Sequence, residues 1–360
     1  MEDLLPGDDD SRRAAVRGWI ASHPDPTPLQ LAEAGWVAPH WPEPWGLGAD
    51  PLHQLLIDDE FARAGIKRPS NQIGIGWAAP TIIHAGTEEQ KKRYVLPALT
   101  GEEIWCQLFS EPGAGSDLAS LATRAERDGD DWVVNGQKIW TTGAHYSRFG
   151  ILIARTDPVA PKHRGITYFI CPMDAPGIEV RTIRNIAGAD SFNEVFFTDV
   201  RVPKENLLGE MNQGWALAGG SLAHERAMLW IDYAYDSARG VENLISLGAM
   251  PGPDGRPLRD DPAFRADVAN HYVDSQALML MGYRGFSKFL KGRSAPEHSL
   301  LKLFGSETIQ KIMLSGTEAL GVAAVDDAQM GPKVHRTGSW ATSYLRSFAG
   351  TIPGGTSEIQ

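Results

Sequence analysis

The chain has 360 residues, a formal net charge of −11 and 42% hydrophobic residues. This length allows two or three domains and a large core that needs neither disulfides nor metal ions. The acidic balance argues against a nucleic-acid partner, which would require a basic face. The two cysteines, Cys106 and Cys171, lack metal-ligand or CxxC spacing, so we expect reduced thiols, no metal site and a cytoplasmic location. The acidic N-terminus resembles no signal peptide, and no apolar stretch approaches the length of about 18 residues that indicates a transmembrane helix.

Residues 1–105 have the apolar spacing of helices. Apolar residues recur at helical intervals after Leu52, which predicts an amphipathic helix there. Thr87 and Gln90 have the spacing of a capping box, which predicts the start of another helix. The proline-rich segment 39–46 predicts an ordered loop.

In residues 106–213 the apolar period becomes that of strands, and the spacing of the short strands suggests a small β-barrel or sandwich. Asn135-Gly136 lies between two alternating segments and predicts a hairpin turn, and Asp128-Gly129 predicts another turn. Helical spacing returns in 214–360, with long periodic segments at 214–247, 263–291 and 297–325. The order of helices, strands and helices predicts an α+β fold with segregated domains.

Two segments of the middle region carry residues suited to ligand binding. In QLFSEPGAGSDLAS, residues 107–120, the glycines allow the backbone to approach a ligand closely, although a surface turn with a helix cap explains the same residues. The GxGxxG pattern is absent, so a Rossmann site is not indicated. In NGQKIWTTG, residues 135–143, Trp140 and two threonines suit a flat heteroaromatic cofactor, although an ordinary core tryptophan is an alternative.

Glu225 is a candidate general base. On a helix it shares an apolar face with Ala218, Leu222 and Leu229, and burial there would raise the pKa of its carboxyl group. Such a carboxylate suits proton abstraction, although a buried ion pair with Arg226 is an equal alternative. The C-terminal Gly354-Gly355-Thr356 segment permits close backbone approach or forms a helix cap and turn.

Together these segments resemble the acyl-CoA dehydrogenase family over nearly the whole chain. EPGAGSD at 111–117, NGQKIWTTG at 135–143 and FNEVFFTDVRVPKENLLGEMNQGW at 192–215 occur in the order of that family. The resemblance implies an N-terminal helical domain (1–105), a middle β-barrel domain (106–213) and a C-terminal four-helix bundle (214–360). It also implies FAD between the β-domain and the C-terminal helices, and an acyl-CoA substrate.

The resemblance assigns roles position by position. It implies cofactor contacts at Gln107, Leu108, Phe109, Ser110, Gly115, Ser116, Trp140, Thr141, Thr142, Thr356 and Glu358. It implies substrate contacts at Ser116, Ala223, His224, Arg226 and Gly355. Trp140 would pack near the isoalloxazine, and Thr142 would hydrogen-bond flavin N5.

The catalytic base lies at an uncommon position for the family. Many members carry a glutamate immediately before the C-terminal Gly-Thr, where this chain has Gly354. A minority, including isovaleryl- and long-chain-type enzymes, carry it in an L-x-x-E-R context, which Leu222–Arg226 matches. The resemblance therefore implies that Glu225 removes the α-proton while a hydride passes to the flavin. The backbone N–H of Gly354 would stabilise the enolate oxygen. An electron-transfer flavoprotein would accept the electrons.

Two segments that reach a neighbouring subunit in the family are altered here. Residues 248–258 do not match the R-x-x-F-G pattern, and Glu318 replaces the Gln of Q-x-x-G-G-x-G. We therefore hypothesise a heteromer with a related acyl-CoA dehydrogenase subunit, such as the α2β2 heterotetramers of actinobacterial steroid-degrading members, rather than a homo-oligomer. Those members also use the helix base, which favours a bulky, branched or steroid-derived acyl group. Alternatives are a non-catalytic subunit that completes an FAD site elsewhere, an acyl-CoA oxidase, or a nitroalkane oxidase, which would use Asp.

Overall fold

The computed structural model describes residues 7–289, 291, 297–326 and 339–359, with side chains throughout these ranges except at 220–232, 286, 289 and 298. The chain divides into two compact units, Met1–Ile183 with Ser191–Ser221, and Arg184–Asp190 with Leu222–Gln360. None of the helices in this described part combines the length and apolar character that a membrane span requires.

Five helices come first in the chain: α1 Ser11–Ser22, α2 Pro28–Glu33, α3 Pro51–Ala64, α4 Ala79–Ala85 and α5 Glu88–Thr100. The predicted capping box of α5 is confirmed, because the Thr87 hydroxyl accepts from the backbone N–H of Gln90 and the Gln90 side chain accepts from that of Thr87. Gly101, at φ 75°, ends the helix in the left-handed conformation that glycine adopts without strain. The predicted helix after Leu52 and the loop at 39–46 are also confirmed.

Eight strands form one sheet in the middle region. They are β1 Trp105–Leu108, β2 Arg124–Asp128, β3 Asp131–Lys138, β4 Phe149–Arg155, β5 Ile166–Pro172, β6 Ile178–Ile183, β7 Phe192–Pro203 and β8 Leu207–Leu208. The hydrogen-bonded order is β6-β7-β3-β2-β4-β5-β8, and β1 pairs in parallel with β4. The turn predicted at Asp128-Gly129 is confirmed, because Asp128 pairs with Asp131 across a tight β2–β3 hairpin.

The hairpin turn predicted at Asn135-Gly136 is wrong, because β3 continues through both residues. A register shift lies between Val134 and Gly136, where the partner strand β7 accommodates an extra residue. The Asn135 side chain exchanges two hydrogen bonds of 3.0 Å with Asp199 on β7, which has a left-handed φ of 49°. Asn135 therefore stabilises a bulge in the neighbouring strand and not a turn in its own strand.

Strand β4 is buried on both faces, which explains its uninterrupted apolar sequence. Ile151 and Ile153 belong to a core shared with the N-terminal helices, where Leu56 is also fully buried. The alternate residue Leu152 packs in a second core with Phe169 of β5. Because continuous apolar strands are typical of sheets covered on both faces, the helices and the sheet of this unit fold around common cores.

A buried ion pair joins the loop after β1 to the end of β3. Lys138 Nζ lies 2.8 Å from Glu111 Oε1 and 2.9 Å from the carbonyl oxygen of Phe109. The Glu111 carboxylate also accepts from the backbone N–H groups of Ala122 and Thr123 at 2.6 and 2.9 Å. Lys138 is 0% exposed and Glu111 is 8% exposed, so both charges depend on these protein partners.

The two pKa values of this ion pair are set by burial and by the mutual charges. Burial lowers the pKa of Lys138 to about 8, and the charge of Glu111 limits that fall. Burial alone would raise the pKa of Glu111, but the charge and hydrogen bonds around it outweigh burial and hold this pKa below its usual value. The pair is therefore charged at neutral pH.

Four helices follow the sheet in the described ranges: α6 Gly214–Leu247, α7 Pro262–Phe289, α8 Glu297–Leu320 and α9 Trp340–Gly350. Helices α8 and α9 approach closely, because a Cβ atom at Gly316 would lie 2.2 Å from Cε3 of the buried Trp340. Further along α9, a Cβ atom at Gly350 would lie 3.7 Å from the Cβ atom of Ser306, an ordinary contact. The sequence-predicted helical character of the C-terminal region is confirmed.

We expect Gly316→Ala to destabilise the protein by about 1–3 kcal/mol, because the added methyl group must displace the Trp340 ring in a packed core. The matched control is Gly350→Ala, where the new methyl group meets no short contact. Urea-induced unfolding monitored by tryptophan fluorescence would measure both. Equal changes in the free energy of unfolding for the two variants would contradict the close packing of α8 on α9.

We expect Lys138→Met to lower the free energy of unfolding by about 3–5 kcal/mol, because it leaves the buried Glu111 carboxylate without its cation. The exposed Lys162–Asp117 pair, at 2.8 Å, provides the control, and Lys162→Met should cost less than about 1 kcal/mol. Chemical denaturation of the two variants and the wild type gives the comparison. Similar decreases in the free energy of unfolding for both variants would show that burial does not strengthen the Lys138–Glu111 interaction.

We also expect the stability advantage of the wild type over Glu111→Gln to depend on pH. Because folding lowers the pKa of Glu111 below its ordinary value of 4.5, this advantage is complete above pH 4.5 and is lost as pH falls through the folded-state pKa. Unfolding curves recorded between neutral and acidic pH would reveal the change. A pH-independent difference would mean that the Glu111 charge does not contribute.

Candidate active site

In the first unit, the loop after β1 and the segment after β3 are fixed to each other. The Ile139 N–H donates to the carbonyl oxygen of Ser110 at 2.9 Å, beside the buried Lys138–Glu111 pair. Within the loop, Glu111 and Ala114 exchange two backbone hydrogen bonds of 3.0 Å. These hydrogen bonds and the buried ion pair therefore hold the backbone of the glycine-rich loop in a defined conformation.

The sequence-predicted cofactor residues of this loop range from buried to exposed: Leu108 and Phe109 are buried, Gln107 and Ser110 are half-buried, and Gly115 and Ser116 are exposed. The buried members support the loop, since the Phe109 ring packs edge-on against Tyr168 with ring centroids 5.8 Å apart. A Cβ atom at Gly113 or Gly115 would meet no atom within 4 Å, so the outer side of the loop is open space. A flat ligand can approach the backbone there.

Trp140 has a backbone conformation that L residues rarely adopt. Its φ is 61°, its side chain is 58% exposed, and its ring meets Phe192 edge-on with centroids 6.2 Å apart. This exposure rules out the alternative that Trp140 is an ordinary core residue. A left-handed conformation costs a non-glycine residue on the order of 1–2 kcal/mol, and such strain is typical of ligand-binding positions.

Asn193 of β7 fixes the residues that follow Trp140. The Thr141 N–H donates to the Asn193 carbonyl oxygen at 3.0 Å, and Asn193 Nδ2 donates to the Thr141 carbonyl oxygen at 2.8 Å. The Thr141 side chain is buried, whereas Thr142 is exposed. Thr141 therefore anchors the segment, and Trp140 and Thr142 present a ring and a hydroxyl to solvent.

Sequence reasoning did not identify Asn193 or the Lys138–Glu111 pair. The sequence did contain a signal for these residues. Asn193 shares the buried face of β7 with Val195, and Lys138 shares the buried face of β3 with Val134. A polar residue at an apolar position of a strand requires a buried partner.

In the second unit, two consecutive glycines follow α9 in the left-handed region. Gly354 has φ 69° and Gly355 has φ 101°, where any L side chain would be strained. Lys302 of α8, which is 4% exposed, donates from Nζ to the carbonyl oxygen of Gly355 at 2.5 Å. A buried cation therefore bonds to the segment for which the sequence predicts cofactor and substrate contacts. The sequence analysis did not identify this cation.

The two remaining predicted cofactor residues lie just beyond these glycines. Thr356 is half-buried, and Glu358 is exposed. A hydrogen bond from Thr356, together with the nearby charge of Lys302, holds the pKa of Glu358 below its usual value. Glu358 is therefore ionised at neutral pH and suited to accept hydrogen bonds, not to donate them.

The predicted base lies on α6, so the predicted helix is present at this position. The side chains of Glu225, Ala223, His224 and Arg226 lie outside the described residues, and their roles stay predictions. Among the residues that are described, no group of three His, Cys, Asp or Glu side chains is arranged to hold a metal ion.

The segments predicted to have lost contacts to an identical neighbour lie at the ends of helices. Glu318 is exposed in the last turn of α8, and Val322 just beyond it is 89% exposed. In the loop after α6, a backbone bridge between Pro251 and Pro257 closes a tight turn. Arg256 lies within this turn, and its guanidinium donates to the Asp254 carboxylate at 2.8 Å.

Comparison with known proteins identifies the family. Residues 14–102, 106–200 and 212–360 match the models of the N-terminal, middle and C-terminal domains of acyl-CoA dehydrogenases. Over 216 residues the chain is 53% identical to acyl-CoA dehydrogenase FadE34 of Mycobacterium tuberculosis, a match that covers 60% of this chain but 30% of that protein. It is 35% identical to acyl-CoA dehydrogenase IpdE1 of the same organism, over 92% of this chain and 83% of IpdE1.

Solved structures show the same relationship. The ChsE4-ChsE5 complex from Mycobacterium tuberculosis is similar with a TM-score of 0.78 and 32% identity, over 97% of this chain and 93% of the matched chain. The Tcur3481-Tcur3483 steroid ACAD is similar with a TM-score of 0.77 and 31% identity, over 97% of this chain and 92% of the other. The chain therefore belongs to the acyl-CoA dehydrogenase family of oxidoreductases.

Proposed function

We propose that this chain is the catalytic subunit of an FAD-dependent acyl-CoA dehydrogenase that converts an acyl-CoA thioester to the trans-2-enoyl-CoA. The observation that carries the proposal is the exposed Trp140 ring, held at φ 61° beside the exposed Thr142. A tryptophan in this strained and exposed state gains little from burial, so ligand contact is the simplest reason for its conformation.

The exposed residues of the first unit fit a flavin. The Trp140 ring offers an aromatic surface, the Thr142 hydroxyl offers a hydrogen bond, and the backbone at Gly115 and Ser116 is accessible. In the second unit, Thr356 and Glu358 would contribute further cofactor contacts. When bound, FAD supplies the acceptor for the two electrons and the β-hydrogen that leave the substrate together.

We assign proton abstraction to Glu225. Its carboxylate would take the α-proton of the thioester, and the apolar neighbours Leu222 and Leu229 on the same helical face would raise its basicity. The backbone N–H of Gly354 would donate to the thioester carbonyl oxygen, where negative charge develops as the proton leaves. His224, Arg226 and Gly355 would contact the substrate nearby.

We propose a bulky, branched or steroid-derived acyl group. This assignment is supported by the similarity to the Tcur3481-Tcur3483 steroid ACAD, which extends over 97% of this chain. The L-x-x-E-R context of the base supports it as well, since the base then occupies a helix and Gly354 carries no side chain.

We propose that a related acyl-CoA dehydrogenase chain completes the FAD site in a heteromer, and that an electron-transfer flavoprotein accepts the electrons. Glu318 supports the heteromer, because an exposed carboxylate where the family has Gln would repel the cofactor pyrophosphate of an identical neighbour. A similar solved structure is itself named as a complex of two chains, ChsE4 and ChsE5.

We expect Glu225→Gln to reduce the rate of anaerobic flavin bleaching by acyl-CoA by about 10²–10⁴-fold, because an amide cannot accept the α-proton. Glu225→Asp should retain part of the rate, and FAD content should equal that of the wild type. Stopped-flow absorbance would measure the bleaching rate of each protein, once with a steroid-side-chain acyl-CoA and once with a straight-chain acyl-CoA. Unchanged bleaching in Glu225→Gln would refute the assigned base, and rapid reoxidation of the reduced enzyme by oxygen would identify an oxidase.

We expect the chain to bind little FAD when expressed alone and to reach full occupancy when co-expressed with a related acyl-CoA dehydrogenase chain from the same genome. Visible absorbance and light scattering of the purified proteins would measure cofactor content and subunit number. In the isolated chain, Glu318→Gln should raise FAD occupancy because it removes a negative charge. Full occupancy in a homo-oligomer of the unmodified chain would exclude the heteromer.

A further inference from the structure

Lys302 is withdrawn from solvent and is bonded to the main chain of a segment that is distant in sequence. Its side chain is 4% exposed, and Nζ lies 2.5 Å from the carbonyl oxygen of Gly355, which is 53 residues away along the chain. A lysine is almost never this buried unless its charge is partnered, because the ammonium group loses its hydration. A charged donor also makes a stronger hydrogen bond to a carbonyl than a neutral donor does.

The position of Lys302 separates this contact from the packing of the helices. One helical turn further along α8, Ser306 faces Gly350 at the end of α9, and Gly316 lies against Trp340 at the other end of that helix. Helix α9 is therefore packed on α8 without Lys302. The ammonium group instead reaches the segment that leaves α9.

The hydrogen bond from Lys302 orients more than the Gly355 carbonyl group. Since a peptide unit is planar and trans, holding the Gly355 carbonyl oxygen also directs the N–H of Thr356 to the opposite side. Gly354 and Gly355 lack Cβ atoms and have φ values of 69° and 101°, so their own preferences do not define one orientation. An external anchor is needed to hold these peptide units in a single arrangement.

We infer that Lys302 is a positioning residue that holds the Gly354–Thr356 backbone in the orientation required for its N–H groups to face the substrate and cofactor. This inference rests on the proposed function, in which the Gly354 N–H stabilises charge on the thioester oxygen. Misplacement of such a donor reduces the stabilisation of the transition state more than it reduces the affinity for substrate. In this role Lys302 acts through the main chain, by orienting the peptide units that face the reactants.

The test compares Lys302→Met with Lys302→Arg and Lys302→Gln in the full chain, together with its partner subunit if the isolated chain lacks FAD. Lys311→Met, at an exposed position of the same helix, is the matched control. Amide hydrogen exchange of a peptide covering 351–359 measures the backbone directly and requires neither substrate nor cofactor. Rapid-mixing kinetics then give the rate constant of flavin reduction and the dissociation constant of acyl-CoA separately.

In Lys302→Met we expect exchange at 351–359 to accelerate at least about tenfold while α8 peptides keep wild-type protection, as expected for local opening. Flavin reduction should slow by about 10- to 100-fold, with the acyl-CoA dissociation constant changed less than about threefold. Lys302→Arg should recover most of both properties and Lys302→Gln less, because the bond is charge-assisted. If Lys302→Met does not fold, Lys302→Gln decides by the same two measurements.

Wild-type exchange at 351–359 in both Lys302→Met and Lys302→Gln would overturn the inference, as would a uniform loss of protection across α8. Equal losses of acyl-CoA affinity and reduction rate would also overturn it, since they would indicate general disruption of the site. If the wild type reduces no flavin with any acyl-CoA, the proposed function fails, and the exchange measurement alone still shows whether Lys302 orders this segment.

Discussion

A lysine and a glutamate, both withdrawn from water, hold together the two segments of the first unit for which we propose cofactor contacts. Transferring each charge to the interior costs several kcal/mol, and the cost is offset only when geometry and partners are complete. Lys138 meets Glu111 and the Phe109 carbonyl, and Glu111 also accepts two backbone N–H groups. Because one end of the pair belongs to the glycine-rich loop and the other to strand β3, the loop cannot move independently of the strand that leads to Trp140. Trp140, with its left-handed backbone, lies two residues after the buried end of that strand.

The second unit also contains a buried lysine that bonds to the main chain. Lys302 is buried and donates to the carbonyl oxygen of Gly355, as Lys138 donates to that of Phe109. In both units a cation on a regular element bonds to the main chain of a segment that contains glycines. Glycines allow close approach to a ligand but supply no conformational preference, so rigidity has to come from a neighbouring element. In each unit a buried ammonium group contributes to it through a main-chain carbonyl oxygen.

Much of the fold followed from local patterns. The helix after Leu52, the Thr87 cap and the helical C-terminal region were predictable because apolar period and capping chemistry are local. The prediction at Asn135-Gly136 failed because its side chain serves a bulge in strand β7, a partner that local sequence does not specify. Family resemblance predicted which segments contact the ligands, a prediction that stays open, and it did not reveal the buried lysines that bond to those segments. The link between Lys302 and Gly355 spans 53 residues and depends on how α8 packs, which neither periodicity nor motif spacing encodes.

The burial of Lys138 also has a consequence for covalent chemistry. Burial lowers the pKa of this amine to about 8, so a larger fraction of it is uncharged at neutral pH than for an ordinary lysine, and the same burial keeps it from solvent. Thioesters acylate uncharged amines, and the proposed substrate belongs to that class of compounds. Because Lys138 is 0% exposed, the amine whose acylation would break the link between the loop and the strand is shielded from thioesters in solution. Acylation of a surface lysine such as Lys162, with 50% of the side chain exposed, would remove its ion pair with Asp117 and leave the Lys138–Glu111 pair in place.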